Sequence, residues 1–102
     1  MAREIIARCN ALHLKVVAGG PLFTSEPDAF NEVDHLVLDE AELTLPAFLS
    51  DLQNGQPKKV YRASSFCALC DSPTPSWDLV KMKRYASMNI QFSRGCPFNC
   101  EF

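Results

Sequence analysis

Val16-Val17-Ala18-Gly19-Gly20-Pro21 decides the fold. Three apolar residues in a row, halted by two glycines and a proline, read as a short strand buried on both faces, as in a parallel sheet. Upstream, Ala2, Ile5, Ile6 and Cys9 fall at i, i+3, i+4, i+7 and predict an amphipathic helix ending near Leu12 and His13. Downstream, Thr24-Ser25-Glu26-Pro27-Asp28 predicts a brief helix, with Ser25 as its cap and Pro27 in its first turn. His35-Leu36-Val37-Leu38 reads as a second strand, with Asp39-Glu40-Ala41-Glu42 at its carboxyl end. Leu45, Phe48, Leu49 and Leu52 repeat the helical spacing, with Thr44 as candidate cap, Pro46 in the first turn and Gly55 as the stop. Helix, strand, short helix, strand, helix is an α/β order.

Two strands do not complete a parallel sheet, because helices must cover both faces and the outer edges would leave N–H and C=O groups unpaired. The expectation is therefore half a domain, with the rest of the sheet upstream in a longer chain and both ends cut. After Gly55, Val60-Tyr61-Arg62 is a candidate extended piece. Residues 63–76, with Ser64, Ser65, Ser72, Pro73 and Pro75, read as linker. Ser76 is placed to cap a short helix through Trp77, Val80 and Lys81. Met88, Ile90 and Phe92 then alternate with Asn89, Gln91 and Ser93, a period of two that predicts a strand. Such a strand would deliver Arg94-Gly95-Cys96 to a loop at its carboxyl end, where α/β folds place their chemistry.

With 102 residues, 47% of them hydrophobic and 22% charged, the chain has the composition of a globular protein. A net charge of -2 gives no basic footprint for nucleic acid, and Lys58, Lys59, Lys81, Lys83 and Arg84 read as solvated faces. Arg3 and Glu4 sit inside a helical pattern, which argues against a signal peptide, and no run approaches the roughly 20 apolar residues of a membrane span. A cytoplasmic location is expected. Five cysteines, an odd count with two in a tight terminal loop, favour thiolate ligation in a reducing compartment over a disulfide framework.

The last residues are Cys96-Pro97-Phe98-Asn99-Cys100-Glu101-Phe102, and a cysteine at the next position would complete C-x3-C-x-aromatic-C. Three thiolates hold a four-iron cluster while leaving one iron open to an outside ligand. Gly95 permits unusual backbone geometry beside the first thiol, and Phe102 supplies the aromatic before the third. The alternative for Cys96 and Cys100 is incidental packing.

That loop is similar to the one by which radical S-adenosylmethionine (SAM) enzymes bind a [4Fe–4S] cluster. Val17-Ala18-Gly19-Gly20-Pro21 through Val37-Leu38-Asp39-Glu40-Ala41-Glu42 resembles the carboxyl-terminal half of the cobalamin-binding domain that precedes many such barrels. The whole chain looks like the junction of a B12-binding radical SAM protein. The resemblance implies a division into three parts. Residues 1–56 would be the C-terminal half of a Rossmann-like (flavodoxin-like) B12-binding domain. Residues 57–86 would be a linker with a short helix, and residues 87–102 the first strand and truncated cysteine loop of a partial TIM-type barrel. It implies Cys96 and Cys100 as iron ligands, the third ligand lying beyond the chain end, with Phe98 and Phe102 shielding the cluster and SAM. It implies Gly19 and Gly20 against the nucleotide tail of cobalamin, although a tight packing turn explains the same glycines. Arg94 would place a charge near the cluster or is an ordinary surface arginine.

The activity implied for the parent is reductive cleavage of SAM, with the resulting 5′-deoxyadenosyl radical abstracting hydrogen from a small-molecule or lipid substrate. Cobalamin commonly carries a methyl group in such enzymes, so methylation is one outcome. The implied partners are the cofactors [4Fe–4S], SAM and cobalamin and an electron donor such as flavodoxin or ferredoxin. The truncated chain alone is expected to be inactive.

Three features depart from or add to that pattern. Asp39 and Ala41 stand where the family often has glycines, and Asp39, Glu40 and Glu42 suit a helix amino terminus electrostatically, so they are read as structural. His13 and His35 lack the spacing of a cobalt-ligand motif and are read as a helix-end residue and a strand-edge residue. Cys67 and Cys70 form C-x2-C, and with Cys96 and Cys100 they offer the competing reading, a small zinc-binding interaction module.

Overall fold

The structure, a computed structural model, describes residues 1–90, 93 and 94. The chain divides into two compact units, Met1–Cys67 and Ala68–Phe102.

The first unit is an α/β layer structure. Helix α1 (Ala2–Ala11) leads into β1 (Val17–Gly19), then a five-residue helix α2 (Pro21–Ser25) and a 3₁₀ turn (Pro27–Phe30). β2 (His35–Val37), α3 (Ala41–Gln53) and β3 (Val60–Tyr61) complete it. The strands form one parallel sheet in the order β1-β2-β3, with Ala18 opposite Leu36 and Val37 opposite Tyr61. The third strand forms within the candidate extended piece Val60-Tyr61-Arg62, so the sheet is larger than the two strands read with clear apolar runs. Leu36 donates to the carbonyl of Lys59 at 2.8 Å and Leu38 to that of Tyr61 at 2.9 Å, which fixes the register.

Alternation along β2 sends successive side chains to opposite faces. Leu36 and Leu38 join Ile6, Phe30 and Val33 on one face, where Phe23 and Phe30 rings meet at 4.6 Å. Val37 joins Phe48 and Tyr61 on the other, the two rings edge-on at 5.5 Å. Helix therefore covers each face of the central strand. Full burial of side chains of this size contributes about 1.5–3 kcal/mol each.

Both major helices end in the same way. Gly55 (φ +73°) donates to Leu52 and Gln56 donates to Asp51 at the end of α3, a Schellman closure that the glycine predicts. At the end of α1 the same pair of bonds runs from His13 to Asn10 and from Leu14 to Cys9, both 3.0 Å, with His13 itself left-handed at φ +57°. His13 is thus a helix terminator in a position that glycine usually fills.

Several local expectations are corrected. Ile6 is buried on α1 but Ile5 is 56% exposed, so the inward stripe is Ala2, Ile6 and Cys9. Ser25 does not cap the following turn; its hydroxyl donates back to the carbonyl of Leu22 at 3.1 Å, and the helix there begins earlier, at Pro21. Helix α3 starts at Ala41, so Thr44 lies inside it and Pro46 stands beyond its first turn. Thr44 is buried and its hydroxyl faces the carbonyls of Leu38 and Glu40, each at 3.1 Å. On the same helix Phe48 is buried, while Leu45, Leu49 and Leu52 are 39%, 46% and 47% exposed. Leucine on two faces of one helix satisfies the i, i+3, i+4 pattern whichever face packs.

Side-chain bonds fasten the sheet. Asp34 accepts from the backbone of Val16 at 2.9 Å and from Lys15 at 2.7 Å, and these bonds hold its carboxyl below the ordinary carboxylate value. Tyr61 donates to Asp51 at 2.9 Å and accepts from the backbone of Lys58 at 2.8 Å. Its phenol is pushed up, first by burial and then by the neighbouring Asp51. The Lys59 ammonium donates to the carbonyls of Asn31 and Val33.

Among the described residues of the second unit there are three 3₁₀ turns, Leu69–Asp71, Trp77–Leu79 and Met82–Arg84. Ser76 precedes the second turn without a capping side-chain bond. Met88–Ile90 carry no strand. A strand exists through its ladder, and among the described residues of this unit none is in a strand.

Candidate functional site

Parallel strands bring their carboxyl ends to one edge, and Gly19, Gly20, Asp39 and Glu40 end or follow β1 and β2 there. Gly19 closes β1 opposite Val37. A Cβ on Gly19 would stand 2.4 Å from the carbonyl oxygen of Val37, so the sheet itself demands glycine. Gly20 is different. It has φ +92° and ψ 179°, a conformation open almost only to glycine, and a Cβ there would meet nothing within 4 Å. The pair therefore separates into a glycine required by strand pairing and one that turns bare backbone toward open space.

Asp39 follows β2 in the left-handed region, at φ +61°. Glycine suits that conformation best, and aspartate is among the few other residues that tolerate it. Its backbone N–H donates to Thr24 Oγ1 at 3.0 Å, and its carboxylate accepts from the backbone of Ala63 at 3.1 Å. Asp39 thus links the segments that follow all three strands. Its neighbour Glu40 opens α3 without capping it; the carboxylate instead accepts from the backbone of Cys67 at 2.6 Å. Glu42 lies in the first turn of α3, as a helix dipole favours. The sequence offers no signal for the Ala63 and Cys67 contacts, because both use backbone donors.

Neither histidine reaches this edge. His13 ends α1, and His35 opens the central strand, where its ring faces Phe48 at 5.5 Å and Nδ1 donates to the carbonyl of Lys58 at 2.7 Å. Both are structural.

Cys67 is half-buried and Cys70 exposed, and no disulfide joins the described cysteines. Among the described residues no group of three or more His, Cys, Asp and Glu side chains stands together as a metal site. Arg94 donates to Ser72 Oγ at 3.1 Å. Cys96, Phe98, Cys100 and Phe102 lie outside the described residues. No helix among the described residues is long and apolar enough to cross a membrane.

The chain is similar to an uncharacterized methyltransferase of Synechocystis, 46% identical over 93 residues that cover 88% of this chain and 17% of the relative. It is 26% identical over 103 residues to the hopanoid C-2 methylase of Rhodopseudomonas palustris, covering 97% of this chain and 20% of that protein. An uncharacterized methyltransferase of Pyrococcus horikoshii is 31% identical over 111 residues, covering 85% of this chain and 24% of the relative. The chain spans about a fifth of the length of these curated relatives. No protein-family model and no solved structure matches it.

Proposed function

We propose that this chain is the junction segment of a cobalamin-dependent radical SAM methyltransferase. The observation that carries the reading is the coincidence of methyltransferase-named relatives aligned along nearly the whole chain with the Cys96–Cys100 loop. In this reading the first unit belongs to a Rossmann-like cobalamin-binding domain. Residues 87–102 belong to the start of a radical SAM barrel.

Two thiolates four residues apart suit iron, and Cys96 and Cys100 would hold the cluster together with a third cysteine. Gly20 suits cobalamin, because its backbone is uncovered where a side chain would stand. Gly19 lies beside it, at a position where the approach to Val37 already requires glycine. When bound, the cluster supplies the electron that cleaves SAM, and cobalamin supplies a methyl carrier. This chain's share is binding and orientation: Cys96 and Cys100 fix iron, Gly20 admits a close-lying ligand, and Phe98 and Phe102 keep water from the cluster.

The experiment is anaerobic reconstitution of a longer chain that includes the residue after Phe102. Iron and sulfide of about four each per chain, with a brown chromophore lost in Cys96→Ala and Cys100→Ala, support the proposal. Zinc near one per chain, bound through Cys67, Cys70, Cys96 and Cys100 without colour, overturns it in favour of the zinc module.

A further inference from the structure

We propose that Ala63–Cys67 is a strap latched over the carboxyl-terminal edge of the sheet by Asp39 and Glu40, and that it opens as one unit. Three observations support this. The strap's first residue is held by a carboxylate at 3.1 Å and its last by a second carboxylate at 2.6 Å. Those carboxylates belong to adjacent residues in the tight connection between β2 and α3, so both latches share one base. Between the latched ends Ser64, Ser65 and Phe66 are exposed, Phe66 to 86%, so the middle of the strap adds little burial to hold it down.

The strap is held by few interactions: two hydrogen bonds to charged acceptors stand against the ordering entropy of its five residues. Asp39 occupies a left-handed conformation that strains a residue bearing a side chain. Glycine would relieve that cost but has no carboxylate to give Ala63. Both latches sit just past the carboxyl end of β2, the end at which open α/β sheets take their ligands. A strap held by two acids there is a segment poised to open beside that end of the sheet, whatever ligand the parent protein binds.

The test is residue-resolved amide exchange together with alkylation of the intact chain by iodoacetamide, located by mass spectrometry. Exposed Cys70 serves as the internal reference. Asp39→Gly removes the Ala63 latch while keeping the backbone conformation; Glu40→Gln weakens the Cys67 latch. If the strap opens as a unit, either variant speeds exchange at both Ala63 and Cys67 and alkylation at Cys67 by about tenfold, the value of one such bond, with Cys70 unchanged. Exchange that rises only at the amide whose own acceptor was altered, or at neither, overturns the strap. A parallel rise in exchange at Leu36 and Leu38 would mark general unfolding and also overturn it.

Discussion

The α-carbon of Gly19 faces the carbonyl of Val37 so closely that a methyl group there would stand 2.4 Å from the oxygen. The contact involves backbone on both sides, so no rotamer change relieves it. Gly19→Ala is expected to force β1 away from β2 and cost about 2–3 kcal/mol, read as a fall in the urea midpoint. Gly20→Ala has open space but the wrong φ, and should cost about 1–3 kcal/mol. Equal stability of the Gly19 variant and the parent chain would show that the strands can part without loss.

His13 and Gly55 occupy equivalent places at the ends of α1 and α3, and they predict opposite responses. His13→Gly should raise the thermal midpoint, by up to about 1 kcal/mol in stability, because it removes a left-handed side chain while keeping both closing bonds. Gly55→Ala should lower it by about 1 kcal/mol. Calorimetry on the two variants checks the pair; a destabilised His13→Gly would mean that the imidazole holds the turn through some other contact.

Acid should loosen the junction of Lys15, Val16 and Asp34. The Asp34 carboxyl is held below its ordinary value of 3.8, so its contribution is fully present above that value. That contribution is lost as pH falls through the lower folded value. Asp34→Asn should flatten this acid limb in a pH series of denaturation midpoints. An unchanged limb would assign the acid sensitivity to other carboxylates.

Alkali should act on Tyr61 in the opposite sense. Its phenol is raised above 10.0, so its contribution is present below that pH and disappears as pH climbs through the higher folded value. Tyr61→Phe should lower stability at neutral pH, by about 1 kcal/mol for the lost bonding to Asp51 and Lys58, and should reduce the alkaline loss. Absorbance titration of the phenolate together with chemical denaturation checks both parts.

Leu45, Leu49 and Leu52 leave a partly exposed apolar ridge on α3. With the sheet edges at β1 and β3, this surface predicts self-association of the chain. Replacing the three leucines by lysine should shift sedimentation toward monomer with little change in the unfolding midpoint. A parent chain that sediments as a monomer at every concentration would contradict the prediction.

The parts of the fold that were legible share one trait: their signal is local. The apolar runs at Val16–Ala18 and His35–Leu38 and the glycine at position 55 announce β1, β2 and the end of α3 within a few residues. β3 was not legible as part of the sheet because Val60–Tyr61 is too short to show periodicity, and its membership depends on pairing with Leu36 and Val37. Thr44 was read as a cap because threonine before a leucine run usually is one. The actual start lies at Ala41, and the hydroxyl serves carbonyls of the preceding turn instead. At the candidate site, Gly20 and the structural character of Asp39 and Glu40 could be read from residue type. Their acceptance of backbone N–H groups more than 20 residues away could not.

The buried trio of Val37, Phe48 and Tyr61 has a consequence for synthesis. As the polypeptide leaves the ribosome, β1, β2 and α3 emerge before the aromatic ring that completes this half of the interior. Until Tyr61 is outside, the nascent chain displays Val37 and Phe48 to solvent or to a chaperone. The last turn of the first unit's ladder therefore acts as a timer, and translation that stalls just ahead of it leaves an unsealed intermediate prone to capture.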